Sequence, residues 1–552
     1  MTITTTTQEQ QHDVVIMGGG LAGLTLALQL KKRFPDIDVL VLERRAHPVP
    51  HAAHKVGESS VEIGAHYFDT VLGLEPHMHG EQLRKFGFRF FFSEGRRDID
   101  RVTEIGASRY LSVPSYQIDR GIFENYLAEE AARRGVKFTD HAMVRQIDLA
   151  DDAQGLHRLS WTQDGQTNVI AARWIVDACG RAGLLKRKLG LAAPNAHDAH
   201  AVWFRISDRI TLDDWSDDPE WRARCTPQAR WLSTNHLVGA GYWVWLIPLA
   251  SGSHSVGIVA DPRYHPLDTM DSFEKAMDWF AQYQPRLFDE LDGKRHLLQD
   301  FAFFKNFSYG CKQVFSGQRW ALTGEAGLFL DPFYSPGSDF IAIANTYITD
   351  LIGHDRAGHS VEARAQLYDQ IYHSFYESTL ALYQDQYGLF GDPEVLPVKV
   401  IWDYSYYWGV LSQIFFHDRL TDLALLGSLK DELQHCQRLN TAVQALLRAW
   451  SGSSEKRNVA QMLDHAALPW FAELNRSLTD TLDDAQFSAR IHASVALLRQ
   501  LALEIHARAM ACDPALDDGD LRALLAQHWP ANAAVECTML FDAVSGNAVE
   551  AA

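Results

Sequence analysis

Cysteine is scarce in this 552-residue chain: Cys179, Cys225, Cys311, Cys436, Cys512 and Cys537 are scattered, with no C-x-x-C spacing. That argues against a zinc site and a disulfide framework, and the expected setting is a reducing cytoplasm. Positive charge is short as well. The chain has 51 Lys and Arg against 70 Asp and Glu, a net charge of −19. Such a balance argues against a sequence-independent grip on nucleic acid or an anionic membrane. No apolar run reaches the roughly 18 residues of a membrane span. MTITTTTQEQQ lacks the basic-then-apolar order of a signal peptide and reads as a disordered tail over residues 1–12. There are no internal repeats and no low-complexity linker. What remains is 47% hydrophobic and 22% charged, the balance of a soluble globular protein long enough for two to four structural units.

Order begins at HDVVIMGGGLAGLTLALQLKKRFPDIDVLVLERR. Val14–Met17 reads as a buried parallel strand, Leu24–Leu30 as a helix, and Asp38–Leu42 as a second strand closed by Glu43. Gly18, Gly20 and Gly23 keep the G-x-G-x-x-G spacing. One glycine turns the chain, one lets backbone approach a pyrophosphate, and one lets helix pack on strand. The phosphates would meet free N–H groups at the helix N-terminus. Glu43 lies about 20 residues on, where an acid meets a ribose hydroxyl. The alternative, a structural glycine turn, would need neither the following helix nor the acid.

Further along, KFGFRFFF (85–92) reads as an aromatic strand, and SYQIDRGIFENYLAEEAARRG (115–135) turns into an amphipathic helix. WIVDACGRAGLL (174–185) is a strand ending in Asp177, with Gly180 in the turn. Short aromatic segments between 200 and 310 read as an antiparallel sheet. RWALTGEAGLFLDPFYSPGSDFIAIANTYITDLI (319–352) returns as strand, glycine-rich loop and helix, and the rest is mostly helical. The expected domains are a dinucleotide-binding part at 13–199 and 311–355, a β-sheet substrate lobe at 200–310, and a helical C-terminal region at 356–552.

Taken as a set, the glycine fingerprint, VGES (56–59), D-A-C-G (177–180), W-x-W-x-I-P (243–248) and the returning G-E-A-G…D-P…S-P-G loop resemble the FAD-dependent halogenases and their flavin-monooxygenase relatives. The resemblance spans roughly residues 13–352, and W-x-W-x-I-P is its most halogenase-specific piece. It implies an α/β Rossmann-like fold of the glutathione-reductase type. The cofactor would be FAD, used as FADH2 from a separate reductase or through NAD(P)H, since only one dinucleotide fingerprint is present. The cofactor set carried over is Gly18, Gly20, Leu21, Ala22, Gly23, Glu43, Arg44, Glu58, Ser59, Arg120, Asp177, Gly180, Gly324, Glu325, Pro332 and Gly337. Glu325 stands where relatives have Asp, one methylene shorter, so a shifted ribityl contact is expected.

In that family a flavin C4a-hydroperoxide oxidises chloride or bromide, and hypohalous acid travels through a tunnel to a lysine beside an electron-rich aromatic substrate. The local pattern points to Lys85; a two-residue offset would put Leu83 there, and Lys55 precedes VGES at the wrong place. The structural alternative is a lysine at a strand entrance with its head in water. Trp243 and Trp245 share a strand face and are expected to wall the chamber, although alternating tryptophans also pack sheets. The Glu-Ser pair of tryptophan halogenases is Tyr334-Ser335 here, which points to a phenolic or pyrrolic substrate, free or carrier-tethered. Pro336 removes a backbone N–H from the expected halide site, which favours the alternative of a hydroxylating monooxygenase. Asp339 serves either the substrate or the helix N-terminus. YSYYW (404–408) lines a pocket or packs lobes together. His47, His51 and His54 cluster in a loop without a partner acid, so no metal is expected.

Overall fold

The structure is a computed structural model that describes residues 10–52, 57–152, 154–527 and 538–541. His54, Lys55, Val56 of VGES and Cys537 lie outside the described residues. Two compact units are present. The first takes the described parts of Met1–Gln82, Ile118–Asn195 and Ser308–Tyr376; the second takes Leu83–Gln117, Ala196–Phe307 and Glu377–Ala552. The aromatic strand at 85–92 and the helices after 376 therefore share a unit with the antiparallel sheet.

In the first unit a seven-stranded sheet runs Lys137–Thr139, Val39–Leu42, Gln10–Met17, Gln166–Asp177, His157–Gln163, Met143–Asp148, with Trp320–Leu322 also on Gln166–Asp177. The first four and Trp320–Leu322 pair in parallel. The other two form an antiparallel ladder. Residues 10–12, expected as part of a disordered tail, instead belong to the strand Gln10–Met17. Val14 to Met17 are fully buried, as a parallel strand covered on both faces requires. The helix Leu21–Arg33 follows, and Lys31, Lys32 and Arg33 place cations on its negative end. The returning helix Gly337–Arg356 is bolted to it by Asn345, whose amide donates to Ala22 O (3.2 Å), Thr25 Oγ1 (3.1 Å) and Tyr67 OH (3.1 Å).

The second unit is built on an eight-stranded sheet in the order Leu298–Phe304, His200–Ile206, His254–Ala260, Tyr242–Pro248, Thr234–Gly239, Phe88–Phe91, Glu104–Gly106, Met462–Asp464. Its two faces differ sharply. Along Tyr242–Pro248, Tyr242, Val244 and Leu246 enter a core with Val202, Phe204, Ile258 and the helices Phe273–Tyr283 and Pro285–Asp292. Trp243, Trp245 and Ile247 take the other face, since successive residues alternate. The same alternation divides Phe88–Phe91: Phe91 joins the core, while Phe90 stacks on His236 at 4.5 Å.

Arg89 shares the face of Phe91 and is buried among charges. Its guanidinium pairs with Glu104, and Glu104 also accepts from Arg230 Nε at 2.9 Å. All three side chains are fully buried. One carboxylate thus holds two arginines that water cannot reach, so its loss leaves uncompensated buried charge. Glu104→Gln is expected to lower unfolding free energy by roughly 3–5 kcal/mol, read as a fall in the urea midpoint with unchanged slope.

Candidate active site

Each fingerprint glycine has a separate steric reason. A Cβ at Gly18, where φ is +111°, would overlap the Ala178 carbonyl, and one at Gly23 would overlap Gly18 O. Those two positions close the turn and the helix–strand contact. Gly20 differs: its Cβ would meet nothing within 4 Å. It caps the 13-residue helix Leu21–Arg33, whose first-turn N–H groups have no intrahelical acceptor. Leu21 and Ala22 form that first turn. Open space before a helix N-terminus is what a diphosphate needs. Glu43 accepts from Gly19 N (2.7 Å) and Arg45 N (2.8 Å), which fixes its carboxylate at the end of Val39–Leu42; Arg44 beside it is exposed. These residues fit FAD.

Asp177 ends the long strand, and its carboxylate accepts from Cys179 N (3.0 Å) and Leu185 N (2.7 Å). Burial pushes its carboxyl above the ordinary value, while those two backbone N–H groups oppose the shift. In this structure Asp177 therefore shapes the Gly180 turn, where φ is +57°. Glu58 and Ser59 are buried, and Glu58 O accepts from Ile118 N (2.7 Å). Arg120 opens the helix Arg120–Arg133, pairs with Glu124 at 2.6 Å, and reaches Gly57 O at 3.4 Å.

The returning loop shows what the longer acid does. Gly324 takes φ +59°, and the Glu325 carboxylate meets Arg181 Nε at 3.1 Å. Arg181 itself lies over the Phe329 ring at 4.9 Å. Sequence reading missed Arg181, although it directly follows D-A-C-G. Pro332 O accepts from Ser335 N (2.9 Å), and Ser335 holds φ +53° just after the partly buried Tyr334. Pro336 caps Gly337–Arg356, and its carbonyl accepts from Asp339 N and Phe340 N at 3.1 Å. Gly337 and Ser338 are left as the first-turn N–H groups without an acceptor inside the helix. Asp339 Oδ1 accepts from Gly64 N (2.8 Å), so this carboxylate braces the helix start.

In the second unit Lys85 is only 3% exposed, so its ammonium is not a surface head. Its Nζ lies 3.3 Å from the centroid of the Phe88 ring, close enough for a cation–π contact. Leu83, the alternative, is partly exposed in the short strand Leu83–Arg84. Trp243 and Trp245 are both buried, with ring centroids 5.7 Å apart. Trp245 Nε1 donates to Ser255 Oγ (3.1 Å), and a Cβ at Gly257 would overlap its indole ring. Trp243 Nε1 donates to Tyr387 OH (3.1 Å), and its ring is 5.4 Å from that of His236. Nothing local signals Tyr387, because it lies 144 residues away in sequence. The structure thus gathers the cofactor set with Tyr334 and Ser335 in the first unit, and Lys85, Trp243 and Trp245 in the second.

Comparison with known proteins bears on the cofactor and the fold. The model of an FAD binding domain matches residues 11–256. The flavin-dependent halogenase chlA of Dictyostelium discoideum is 24% identical over 432 residues, 72% of this chain and 70% of that protein. A 1H-pyrrole-2-carbonyl-[peptidyl-carrier protein] chlorinase of Pseudomonas fluorescens is 25% identical over 60% of this chain and 73% of its own length. The chain is similar to FAD-dependent halogenases and carries an FAD binding domain. Its fold matches that of halogenase PltM solved with phloroglucinol and FAD, at a TM-score of 0.62, 17% identity, and coverage of 90% of this chain and 96% of that one. The flavin-dependent brominase Bmp2 aligns with a TM-score of 0.53 at 22% identity, over 69% of this chain and 89% of that one. FAD is the cofactor of this protein. Among the described residues, no helix is long and apolar enough to cross a membrane.

Because Gly20 has open space in place of a Cβ, Gly20→Val is expected to leave the fold intact and block the diphosphate. The purified variant should retain little yellow flavin, and its FAD dissociation constant should rise at least about tenfold, roughly 1.4 kcal/mol. Fluorescence titration with FAD checks this.

Proposed function

We propose that this flavoprotein halogenates an electron-rich aromatic substrate, phenolic or pyrrolic, either free or tethered to a carrier protein. The observation that carries the reading is Lys85, buried against Phe88 on a strand beside the one that bears His236. Bound FAD, reduced by a separate reductase, supplies with O2 the oxidising power that turns halide into hypohalous acid. The protein does the rest. The N-terminus of Gly337–Arg356 offers the Gly337 and Ser338 N–H groups to a halide, helped by the positive end of a 20-residue helix. Lys85 donates a hydrogen bond to hypohalous acid and aims its halogen at the ring. Ring carbon then forms the carbon–halogen bond, the halogen–oxygen bond breaks, and the displaced ring proton leaves with hydroxide as water. Trp243 and Trp245, fixed by Tyr387 and Ser255, form a rigid apolar wall for the aromatic substrate. Tyr334-Ser335 leaves no carboxylate to assist, which suits a substrate that carries its own activating hydroxyl or N–H.

A second reading is a monooxygenase on the same scaffold. Pro336 favours it, because a proline cannot contribute the N–H that a halide site would use there. Mixing reduced, FAD-loaded protein with oxygenated buffer separates the two. Bromide-dependent formation of trappable hypobromous acid is the halogenase outcome; bromide-independent incorporation of 18O from 18O2 into product is the hydroxylase outcome. Lys85→Ala should release hypohalous acid yet form less than about 1% of wild-type halogenated product, consistent with losing a positioned catalytic donor. Pro336→Thr restores one N–H at a compatible backbone angle. A hydrogen bond to a charged group is worth about 1.5–3 kcal/mol, so the bromide concentration for half-maximal rate should fall about tenfold.

A further inference from the structure

One corner of the second unit is unexplained by the chemistry above. Helix Val395–Tyr406 does not end but passes through a π-helical turn, Tyr407–Leu411, into Ser412–Phe416. Such turns recur at functional sites because they re-aim side chains that a regular helix would bury. Here the turn begins an aromatic cluster. Tyr404 lies 4.8 Å from Trp408 and 5.9 Å from Phe88, the ring on which Lys85 sits. Phe471 packs 4.7 Å from Trp408 and 5.5 Å from His465. His465 closes the group, 6.4 Å from Tyr404.

His465 is held rigidly. It directly follows the strand Met462–Asp464, which pairs with Glu104–Gly106 and so belongs to the same sheet as Phe88. Asp464 Oδ1 accepts from Ser108 N (3.0 Å) and Ala466 N (2.9 Å), which fixes the backbone on both sides of the histidine. His465 is 4% exposed, yet its Nδ1 has no hydrogen-bond partner. Trp408 Nε1, in the same cluster, is also buried without a partner. An unmet buried polar group costs roughly 1–3 kcal/mol, and it is tolerated where a ligand completes it.

We propose that His465 is the residue that reads the substrate's ring hydroxyl, holding a phenol beside Lys85 in the cluster of Phe88, Tyr404, Trp408 and Phe471. This deepens the proposed function and rests on it. The aromatic walls offer stacking and edge contacts to a ring, and the polar atom fixes which ring. A hydroxyl both donates and accepts, so it satisfies Nδ1 in either imidazole tautomer; a pyrrole N–H can only donate, and an aryl ether can only accept. Burial, assisted by the nearby Arg89 charge, keeps the ring neutral at pH 7, with its pKa lowered to about 4 against the pull of Asp464. A neutral ring leaves one nitrogen lone pair free for a phenolic proton.

The test is calorimetric titration of the oxidised, FAD-loaded protein with resorcinol and with 1,3-dimethoxybenzene. The two rings are similarly electron-rich, but the ether has no O–H. Wild type should bind resorcinol at least tenfold tighter. His465→Phe keeps ring shape without the nitrogen and should remove that preference; His465→Asn places an amide group near the Nδ1 position and should restore most of it. Equal affinity of wild type for the two rings, no binding of resorcinol by wild type, or an undiminished preference in a folded His465→Phe protein would overturn the proposal. Bromide oxidation by wild type, measured separately without any aromatic, judges the halogenase reading on its own. A binding preference that depends on His465 in a protein unable to oxidise bromide would retain the hydroxyl reader and discard halogenation.

Discussion

Alternation along an extended chain governs the second unit. In Tyr242–Pro248 the even-numbered residues Tyr242, Val244 and Leu246 are sealed into the core, and that commits Trp243 and Trp245 to the opposite face. A slip of one residue would exchange the two sets and place indoles in a core packed for smaller side chains. The register is pinned from several directions: Trp245↔Gly257 is possible only because Gly257 has no side chain, and Trp243 is tied through its indole N–H to Tyr387. Phe88, Phe90 and His236 extend the same aromatic face onto neighbouring strands. The Glu104 ion cluster holds the other side of those strands.

The first unit follows a different logic, in which backbone does most of the binding work. Gly18 and Gly23 are required by their own protein neighbours, whereas no protein atom lies within 4 Å of where a Gly20 Cβ would stand. Acidic residues that sequence reasoning assigns to the cofactor turn out to be engaged with protein groups. Asp177 caps a turn, Glu43 fixes Gly19 and Arg45, and Glu325 pairs with Arg181. A carboxylate can still accept further hydrogen bonds when two are already made. These contacts pre-orient the loops, so less ordering remains to be done when FAD binds.

Much was legible because it is local. The strand–glycine loop–helix unit reads directly from thirty residues, since the buried parallel strand, the glycine spacing and the acid all lie in one stretch. The sheet between 200 and 304 is legible from its short aromatic segments. Residues 83–117 and 462–464 were not assignable to that sheet, because two of their strands are only three residues long and pair with partners far away in sequence. Lys85 could be nominated from its aromatic neighbours, but its burial against Phe88 could not. Arg181 was within reach, as the next residue of a motif already quoted. Tyr387 and His465 were not, because their partners lie in elements that only folding brings near.

By itself the sequence determined the nucleotide-binding unit, for one physical reason: steric and periodic constraints on a strand–turn–helix act between neighbours in the chain. Tertiary structure alone decided which long-range partners the informative residues meet. Glu104 acquires Arg89 and Arg230, Glu325 acquires Arg181, Trp243 acquires Tyr387, and His465 is sealed among aromatic rings with one nitrogen unmet. Burial and hydrogen bonding are properties of a packed assembly, and no local pattern encodes which group will be left without a partner when packing is complete.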